Sequence, residues 1–359
     1  MSDQNSKIKV IVGMSGGVDS AVAAYLLKAA GLDVIGVTLK TWIGSQGEDS
    51  RCCEIDDARE AADKIGISYY TVNCMEEFDS CVVKPFMDEY LCGRTPNPCV
   101  GCNRSVKWAG LFKAAKTFGA GFVATGHYAF IERTESGRYT VRTADHANKD
   151  QSYMLYRLSQ EQLSHTLMPL GSYSKDEVRK IAESIGLSVA SKPDSQEICF
   201  VPDGDYAGFI KDNYQGDIPG DGNFVDEDGK VLGRHKGIIH YTVGQRKGLG
   251  LAMGYPVFVK EIRPKTNEVV ICEDAALFSR EVLCKDLNFM SIDGLKEGEK
   301  LRCKAKIRYQ HKAQEAHIES TDGETVRILF DEAVRAAAPG QSAVFYDEKG
   351  RVIGGGIIA

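Results

Sequence analysis

Apolar and polar positions follow two alternating periods in the first half of the chain. Short apolar runs rich in β-branched residues predict strands at 8–12, 34–39, 68–72 and 122–125. Between them, apolar positions recur at helical spacing and predict helices at 21–30, 56–65 and 105–118. One more helix is predicted at 174–185, with Ser174 as N-cap, Glu177 at the capping-box position and Gly186 as the stop signal. This alternation predicts an α/β protein with a doubly wound parallel sheet, whose ligands bind at the carboxyl ends of the strands.

The pattern changes after about residue 205. Residues 216–250 are rich in glycine, aspartate and short β-prone segments, and helical periodicity is absent there. From about residue 283, alternating runs at 304–309, 316–319 and 325–330 are separated by turn residues and predict a small antiparallel barrel or sandwich. A chain of 359 residues exceeds the usual size of one domain. We therefore expect three domains, at 1–204, at 205–280 (small and mixed) and at 281–359 (an antiparallel β-barrel).

Composition narrows the class of protein and its compartment. The hydrophobic content is 43%, and no window approaches the roughly eighteen uninterrupted apolar residues of a membrane span. Residues 1–9 are polar without an apolar segment, which argues against secretion. We expect a cytoplasmic protein whose 11 cysteines serve as thiols, metal ligands or catalytic groups rather than structural disulfides. The net charge of −6 neither indicates nor excludes a nucleic-acid partner, because phosphates respond to local basic patches.

A glycine- and serine-rich segment joins the first predicted strand to the first predicted helix. It consists of Gly13, Met14, Ser15, Gly16, Gly17, Val18, Asp19 and Ser20. A strand, a tight turn and a helix direct backbone N–H groups and the positive end of the helix dipole to one point, which suits a phosphate. The segment lacks the lysine of the Walker A motif and the G-x-G-x-x-G spacing of a dinucleotide fold. The residues alone therefore predict a phosphate site without naming the nucleotide.

Two loops carry the cysteines best suited to chemistry. Cys99 and Cys102 lie in a stretch with two prolines, ahead of a helix expected to start near Asn103, and Cys199 follows a proline in a later loop. A thiol at a helix N-terminus between two arginines has its thiolate favoured. A Cys-x-x-Cys pair with one distant cysteine fits a redox pair, half of a zinc site or three ligands of an iron–sulfur cluster. We interpret the other cysteines as small buried hydrophobes or as groups without function: Cys52, Cys53, Cys74, Cys81, Cys92, Cys272, Cys284 and Cys303.

The segment from Ser15 to Ser20 resembles the PP-loop of ATP pyrophosphatases, enzymes that cleave ATP between the α and β phosphates and adenylate a substrate. Further motifs recur in the same order in the bacterial tRNA-specific 2-thiouridylases, and the resemblance covers nearly the whole chain. These motifs are Arg94-Thr95-Pro96-Asn97-Pro98, Cys102-Asn103, Ala124-Thr125-Gly126-His127-Tyr128, Lys149-Asp150-Gln151-Ser152-Tyr153, Asp194-Ser195-Gln196-Glu197-Ile198-Cys199-Phe200 and the run from Tyr241 to Gly250. The resemblance implies an adenine nucleotide alpha hydrolase-like first domain.

The resemblance also implies the reaction of a tRNA-uridine 2-sulfurtransferase. The family activates the C2 oxygen of the wobble uridine with ATP, releases pyrophosphate and replaces that oxygen with sulfur delivered as a protein persulfide. Cys199 matches the cysteine that carries the persulfide, and Cys102 matches the partner nucleophile. Residues 13–20 would hold the phosphates, while Leu39 and Gly126 would line the adenine side. Magnesium is expected to neutralise the polyphosphate, and Asp19 is the local carboxylate, which either binds it or caps the helix.

The same resemblance implies contacts with tRNA. They fall on Asn97, Pro98, Cys99, His127, Lys149, Asp150, Gln151, Arg308, Tyr309 and Gln341. Arg308 would meet a phosphate and Tyr309 would stack on a base. The family acts on the tRNAs that read lysine, glutamate and glutamine codons and takes its sulfur from a cysteine desulfurase, directly or through relay proteins. No membrane partner is expected, and no amphipathic seam requires a dimer, so we expect a monomer.

Cys99 departs from the family pattern, because many members carry aspartate at this position. The change creates Cys99-x-x-Cys102, and with Cys199 it gives three thiols around one site. One hypothesis is that these three cysteines bind a 4Fe–4S cluster whose free iron carries hydrosulfide. The other is a persulfide on Cys199 followed by a disulfide with Cys102, and the sequence does not choose between them.

Two functions of other classes share part of this pattern. A PP-loop amidotransferase or ligase would use the same ATP chemistry but would not require paired loop cysteines. A non-catalytic RNA- or metal-binding module would not need the polar groups of Ser15, Asp19 and Ser20, which are all present.

Overall fold

The structure, a computed structural model, describes residues 7–44, 54–192 and 197–359. Its first part contains β1 (Lys9–Gly13), α1 (Val18–Ala29), β2 (Asp33–Lys40), α2 (Ile55–Ile65), β3 (Ser68–Asn73), α3 (Met75–Phe78), α4 (Lys84–Leu91), α5 (Pro98–Cys102), α6 (Trp108–Phe118) and β4 (Phe122–Ala124). It continues with β5 (Ala129–Arg133), β6 (Tyr139–Thr143), α7 (Gln160–Ser164), β7 (Thr166–Leu167) and α8 (Lys175–Ser184). Each strand and helix predicted for this part is present.

Five parallel strands form the first sheet, in the order β3-β2-β1-β4-β7. The central strand β1 is apolar on both faces, and its residues Val10, Ile11 and Val12 are fully buried, as expected for a parallel strand with helices on either side. From β1 the chain moves outward to β2 and β3 on one side, and later to β4 and β7 on the other. The strand order therefore reverses between β1 and β4, and the loops after these two strands border the crevice where such sheets bind ligands. The predicted doubly wound sheet is confirmed.

The capping box of α8 is also confirmed. The Ser174 hydroxyl accepts the Glu177 backbone N–H at 3.3 Å, and the Glu177 carboxylate accepts the Ser174 backbone N–H at 2.8 Å. Gly186 has a φ of +70°, the left-handed conformation that ends a helix. This capping fixes the first helical residue, Lys175, whose side chain enters the site described below.

The chain folds into two compact units. One comprises Met1–Val82, Cys99–Pro202 and Lys349–Val352, and the other comprises Val83–Pro98, Asp203–Glu348 and Ile353–Ala359. The first unit contains the parallel sheet and the β5–β6 hairpin. Its core includes α1, α2 and α8, which pack small or branched side chains such as Ala21, Ala62 and Val178.

The second unit contains a small mixed sheet and a closed barrel. After α9 (Tyr206–Asn213), the strands β8 (Gly222–Val225), β9 (Val231–His235), β10 (Phe258–Arg263) and β11 (Glu268–Cys272) form a sheet in the order β10-β11-β8-β9. Next come β12 (Phe278–Phe289), β13 (Lys300–Lys306), β14 (Gln314–Ser320), β15 (Val326–Arg335), β16 (Ser342–Tyr346) and β17 (Val352–Ile358). These six strands close into an antiparallel barrel in the order β12-β15-β14-β13-β16-β17, so the predicted C-terminal barrel is confirmed.

One predicted run of the barrel is too long. The alternation at 304–309 suggested a strand through Tyr309, but β13 ends at Lys306. Arg308 and Tyr309 lie in the turn that follows, where the Arg308 carbonyl accepts the His311 N–H at 3.0 Å. Within the described residues, no helix has both the length and the apolar character needed to cross a membrane.

Candidate functional site

The loop after β1 is shaped by close backbone packing. Gly17 is the N-cap of α1, and Gly16 has a φ of +79°. A Cβ atom on Gly16 would lie 2.6 Å from the carbonyl oxygen of Glu54, which is too close for any side chain. Glycine is therefore required at this turn, and the turn presents the unpaired N–H groups of the first turn of α1 to the crevice.

Two serines hold the loop in shape. The Ser20 hydroxyl accepts the Ser15 backbone N–H at 3.1 Å and donates to the Gly17 carbonyl at 3.0 Å. The Ser15 hydroxyl lies 3.3 Å from that of Ser20 and accepts the Gly17 N–H at 3.4 Å. Ser20 is buried, so its hydroxyl acts on the loop backbone. The loop is thus held in shape by its own side chains.

Asp19 makes an ion pair that the sequence did not predict. Its carboxylate accepts Lys175 Nζ at 2.8 Å on both oxygens and the Tyr128 hydroxyl at 2.6 Å. Lys175 is 8% exposed and lies 156 positions away along the chain. The expectation that Asp19 caps α1 is wrong, because the cap is Gly17 and no side chain bonds there. The carboxylate instead brings a cation to a loop that has no lysine of its own.

The described residues contain no group of three or more His, Cys, Asp or Glu side chains placed to hold a metal ion. A lone carboxylate already paired with a lysine does not make a resident magnesium site.

The segment after β4 packs directly on the first turn of α1. A Cβ atom on Gly126 would lie 2.6 Å from the backbone nitrogen of Ser20. Next to it, Nδ1 of His127 lies 2.8 Å from the Thr125 hydroxyl, and the His127 ring packs 5.7 Å from the Trp108 ring. Burial lowers the pKa of His127 to about 3, helped by the positive charge of Lys107, so its ring is neutral at pH 7.

Leu39 lies one residue before the end of β2, at the carboxyl edge of the sheet. Its side chain is buried against α6, where its Cδ2 atom would be 3.0 Å from a Cβ on Gly110. The position therefore agrees with an adenine-side role mainly through its backbone, since the side chain already packs in the core.

The helix that carries two of the cysteines begins earlier than expected. The sequence suggested a start near Asn103, but α5 begins at Pro98, a residue well suited to the first helical position. The helical path continues through a π-helical turn at Asn103–Lys107 into α6. Cys99 is exposed in the first turn, whereas Cys102 is buried. The π turn buries Asn103, whose side chain donates to the Met154 carbonyl at 2.9 Å.

Cys199 lies in the second cysteine loop and is half-buried. The next residue, Phe200, is buried with its ring 6.3 Å from that of Trp42 and 5.6 Å from that of Phe78. Asp194, Ser195 and Gln196 of the motif lie outside the described residues. The structure does not place Cys99, Cys102 and Cys199 together as a metal-binding group, and the cluster hypothesis stays a prediction. Burial of Phe200 anchors the loop while leaving the neighbouring thiol accessible.

A second unpredicted cation lies where the Cys199 loop begins. Lys192 donates to the Glu54 carboxylate at 2.6 Å and to the Asp57 carboxylate at 2.5 Å. These hydrogen bonds raise the pKa of Lys192 against the opposing effect of burial. Because Glu54 also packs on Gly16, the start of the Cys199 loop and the phosphate loop share one support.

The segment Lys149-Asp150-Gln151 contacts the loop after β4 through Tyr128. The Gln151 side-chain oxygen accepts the Tyr128 backbone N–H at 3.0 Å, and the Tyr128 hydroxyl in turn reaches Asp19. The Asp150 carboxylate is buried and accepts the Ser152 backbone N–H and hydroxyl at 3.1 and 2.9 Å. Asp150 therefore shapes the loop, whereas Lys149 is half-buried at its surface.

The remaining predicted site residues lie in the second unit. Arg308 donates weakly to the Arg335 carbonyl at 3.5 Å, and Tyr309 follows it in the turn after β13. Gln341 is half-buried, and its side-chain Nε2 donates to the carbonyls of Thr95 and Pro96 at 2.8 and 3.4 Å. Asn97 and Pro98 follow Pro96 directly, so Gln341 contacts the stretch that leads into the cysteine helix.

The other cysteines divide into two groups. Cys74, Cys272, Cys284 and Cys303 are buried as predicted, and burial raises the pKa of each thiol, that of Cys303 to about 12. The same prediction is wrong for Cys81 and Cys92, which are exposed: Cys81 lies in a π-helical turn at Asp79–Val83 and Cys92 is the C-cap of α4. Cys52 and Cys53 lie outside the described residues.

Three protein-family descriptions match successive parts of the chain. The tRNA methyl transferase HUP domain matches residues 8–203, the tRNA methyl transferase PRC-barrel domain matches residues 208–273, and the aminomethyltransferase β-barrel domain matches residues 279–358. Together they cover the parallel sheet, the small mixed sheet and the barrel.

Curated relatives match along the full length. The tRNA-specific 2-thiouridylase MnmA of Clostridioides difficile (strain 630) is 52% identical over 359 residues, covering 98% of each chain. Proteins of the same name from Lachnoclostridium phytofermentans and Acetivibrio thermocellus are 52% and 50% identical, each covering 98% of this chain and 99% of the relative. Among solved structures, the U34-tRNA thiolase NcsA from Methanococcus maripaludis with its 4Fe-4S cluster is 22% identical with a TM-score of 0.35, covering 58% of this chain and 67% of that one.

Proposed function

The chain belongs to the family of tRNA-specific 2-thiouridylases, and on this basis we propose that it is a tRNA-uridine 2-sulfurtransferase that thiolates the wobble uridine at C2. The observation that carries the proposal is a glycine- and serine-rich loop at the switch point of the sheet, in a chain about half identical to 2-thiouridylases along its whole length. We propose domains at 1–204, 205–280 and 281–359, with ATP chemistry in the first.

The first chemical step is adenylation. MgATP would lie with its phosphates on the N–H groups of residues 13–20 and its adenine near Leu39 and Gly126. The C2 oxygen of uridine attacks the α-phosphorus, the bond to the β-phosphate oxygen breaks, and pyrophosphate leaves. Negative charge grows on the leaving group, and the helix N-terminus and the nearby Lys175 ammonium stabilise it.

The second step is sulfur transfer. Cys199 carries the incoming sulfur as a persulfide, Cys–S–SH, and its partial exposure supports loading by a donor protein. The Cys102 thiol attacks the Cys199 sulfur, a Cys102–Cys199 disulfide forms, and hydrosulfide is released. Hydrosulfide adds to the activated C2 carbon and AMP leaves with the former C2 oxygen. A thiol reductant then supplies two electrons to restore both cysteines.

An iron–sulfur cluster on Cys99, Cys102 and Cys199 is the alternative route to the same product. It receives less support, because these thiols do not form a ligand set in the structure. The persulfide route needs only two cysteines: Cys199 is half-buried in a loop, and Cys102 is the buried last residue of α5.

We propose that tRNA contacts fall on nine positions that the family pattern implies: Asn97, Pro98, Cys99, His127, Lys149, Asp150, Gln151, Arg308 and Tyr309. Gln341, the tenth position of that pattern, already bonds the Thr95 and Pro96 carbonyls through its amide. The turn position of Arg308 and Tyr309 supports contact with a phosphate and a base. The substrates would be the lysine, glutamate and glutamine tRNAs, and the sulfur would come from a cysteine desulfurase or a relay protein in the cytoplasm.

The test uses Cys99→Ser, Cys102→Ser and Cys199→Ser, with the exposed Cys81→Ser as matched control. Each protein is purified without oxygen, assayed for iron, and tested for pyrophosphate release and 2-thiouridine with ATP, tRNA and sulfur donor. We expect loss of 2-thiouridine in the Cys102 and Cys199 variants, pyrophosphate release in both, and no bound iron. Bound iron that all three substitutions remove would establish the cluster route. Undiminished 2-thiouridine formation by Cys199→Ser would refute the persulfide role of Cys199. Pyrophosphate release without any 2-thiouridine from the wild-type protein would instead favour an amidotransferase or ligase.

A further inference from the structure

A short segment of the barrel, residues 339–341, is hydrogen-bonded to the chain just before α5. Pro339, Gly340 and Gln341 precede β16, and they face Thr95 and Pro96 within the second unit. The Thr95 N–H donates to the Pro339 carbonyl at 2.8 Å, and Gln341 Nε2 donates back to the Thr95 and Pro96 carbonyls. Thr95 thus has both of its backbone polar groups bonded to this barrel segment.

The fit is also steric. Gly340 is buried with a φ of +89°, and a Cβ atom there would lie 3.0 Å from the Thr95 nitrogen and 3.1 Å from the Arg94 Cβ. The barrel holds its own side of the contact rigidly, because the Gly340 N–H donates to the Ile358 carbonyl at 2.9 Å and the Gln341 carbonyl accepts the Ile358 N–H at 2.8 Å. The clamp is therefore built on the strand β17.

The residues just before Thr95, Gly93 and Arg94, are also held in place. Gly93 has a φ of +68°, and a Cβ atom there would lie 2.8 Å from Ile262 in β10. The Arg94 N–H donates to the Glu89 carbonyl at 2.8 Å. Since Pro96 and Pro98 have no N–H groups, Thr95 supplies a large share of the backbone bonding that this stretch can make.

We propose that Gln341 is a positioning residue, and that the segment 339–341 clamps Thr95 and Pro96 so that the following Asn97-Pro98-Cys99 stretch has one conformation. The primary amide of Gln341 has two N–H donors, and two carbonyls take them. It cannot donate to an RNA phosphate without releasing the loop. The clamp itself stands on these contacts, and its catalytic consequence rests on the function proposed above.

The experiment compares variants that remove each part of the clamp. Gln341→Met keeps the side-chain length but has no N–H group, and Gln341→Glu puts an acceptor opposite two carbonyls. Gly340→Ala adds a methyl group against Thr95. Its matched control is Gly323→Ala in the β14–β15 turn, where φ is +81° and nothing lies within 4 Å of the added atom.

Two readouts are needed. In the full-length protein without tRNA, hydrogen exchange at the Thr95 amide should be about tenfold faster or more in all three clamp variants and unchanged in Gly323→Ala. In steady-state assays, kcat for 2-thiouridine should fall about tenfold, as for the loss of a positioning contact, while KM for tRNA stays within about twofold.

Each other outcome overturns the proposal. Unchanged exchange at Thr95 would mean that Gln341 does not clamp the loop. A raised KM for tRNA with unchanged kcat would make Gln341 an RNA contact. Fast exchange with unchanged kinetics would remove its catalytic role. If the wild-type protein makes no 2-thiouridine, the proposed function fails, but the exchange measurement still decides whether the clamp exists.

Discussion

A single methyl group added at Gly126 should weaken ATP binding, because it would displace the first turn of α1. In Gly126→Ala the new Cβ atom would lie 2.6 Å from the Ser20 nitrogen, 2.7 Å from the Asp19 carbonyl carbon and 2.9 Å from the Ser20 Cα. All three neighbours are backbone atoms, so no side chain can rotate away. The first turn of α1 or the segment after β4 must move by several tenths of an ångström.

The size of the effect follows from two terms. Overpacking of this kind costs about 1–3 kcal/mol of unfolding free energy, and for a folding unit of this size that is a melting temperature lower by about 2–12 °C. The Ser20 N–H is one of the donors that the first turn of α1 leaves without a helical partner. Loss of one N–H bond to a charged phosphate costs about 1.5–3 kcal/mol, so ATP should bind roughly 10- to 150-fold more weakly.

The matched control is Gly121→Ala, directly before β4. Gly121 has no left-handed φ and nothing within 4 Å of an added Cβ atom. ATP affinity by calorimetry and thermal melting would be measured for both variants and the wild type. If Gly126→Ala binds ATP as tightly as Gly121→Ala and melts at the same temperature, the close packing of residue 126 against α1 is refuted.

Two further predictions concern the buried ionisable groups Lys175 and His127. Lys175→Met should lower the unfolding free energy by about 1–2 kcal/mol in denaturant titrations, a value discounted because the Asp19 side chain is 32% exposed. Adding Asp19→Asn to the same chain should recover part of that loss. Strictly additive effects of the two substitutions would contradict the ion pair. Because the folded-state pKa of His127 is about 3, the unfolded chain binds more protons than the folded one between about pH 3 and 6.5. The unfolding free energy should therefore fall on acidification by up to about 1.4 kcal/mol per pH unit. His127→Gln should flatten that slope, and an unchanged slope would refute the lowered pKa.

The sequence predicted the sheet well because its signals are local. An apolar β-branched run, a glycine turn and a helical period each lie within about ten residues, and the capping box at Ser174 marks a helix start without tertiary information. The predictions were weaker where local and tertiary preferences disagree. The sequence predicts the helix start five residues late, because Pro98 has a loop-like context and yet is the first helical residue of α5.

The site was predicted only as far as it is continuous in sequence. The phosphate loop and the loop after β4 came from motifs, but their partners lie far along the chain. Lys175 meets Asp19 across 156 positions, Lys192 meets Glu54 across 138, and Gln341 meets Thr95 across 246. A buried lysine looks like any surface lysine until the fold places it, so no spacing rule could have found these contacts.

The structure also gives a physical meaning to Cys99, the position at which the sequence resemblance implies aspartate in many relatives. It is the second residue of α5, in the first turn of a helical path that continues to Phe118. A carboxylate and an ionised thiol are both anions, and the N-terminal end of a helix stabilises either one. A thiolate here would keep the sign of charge of a carboxylate, while the substitution changes a hard oxygen ligand to a soft sulfur. Any difference between this protein and its aspartate-bearing relatives should accordingly appear in thiol chemistry, with the electrostatics of the helix start preserved.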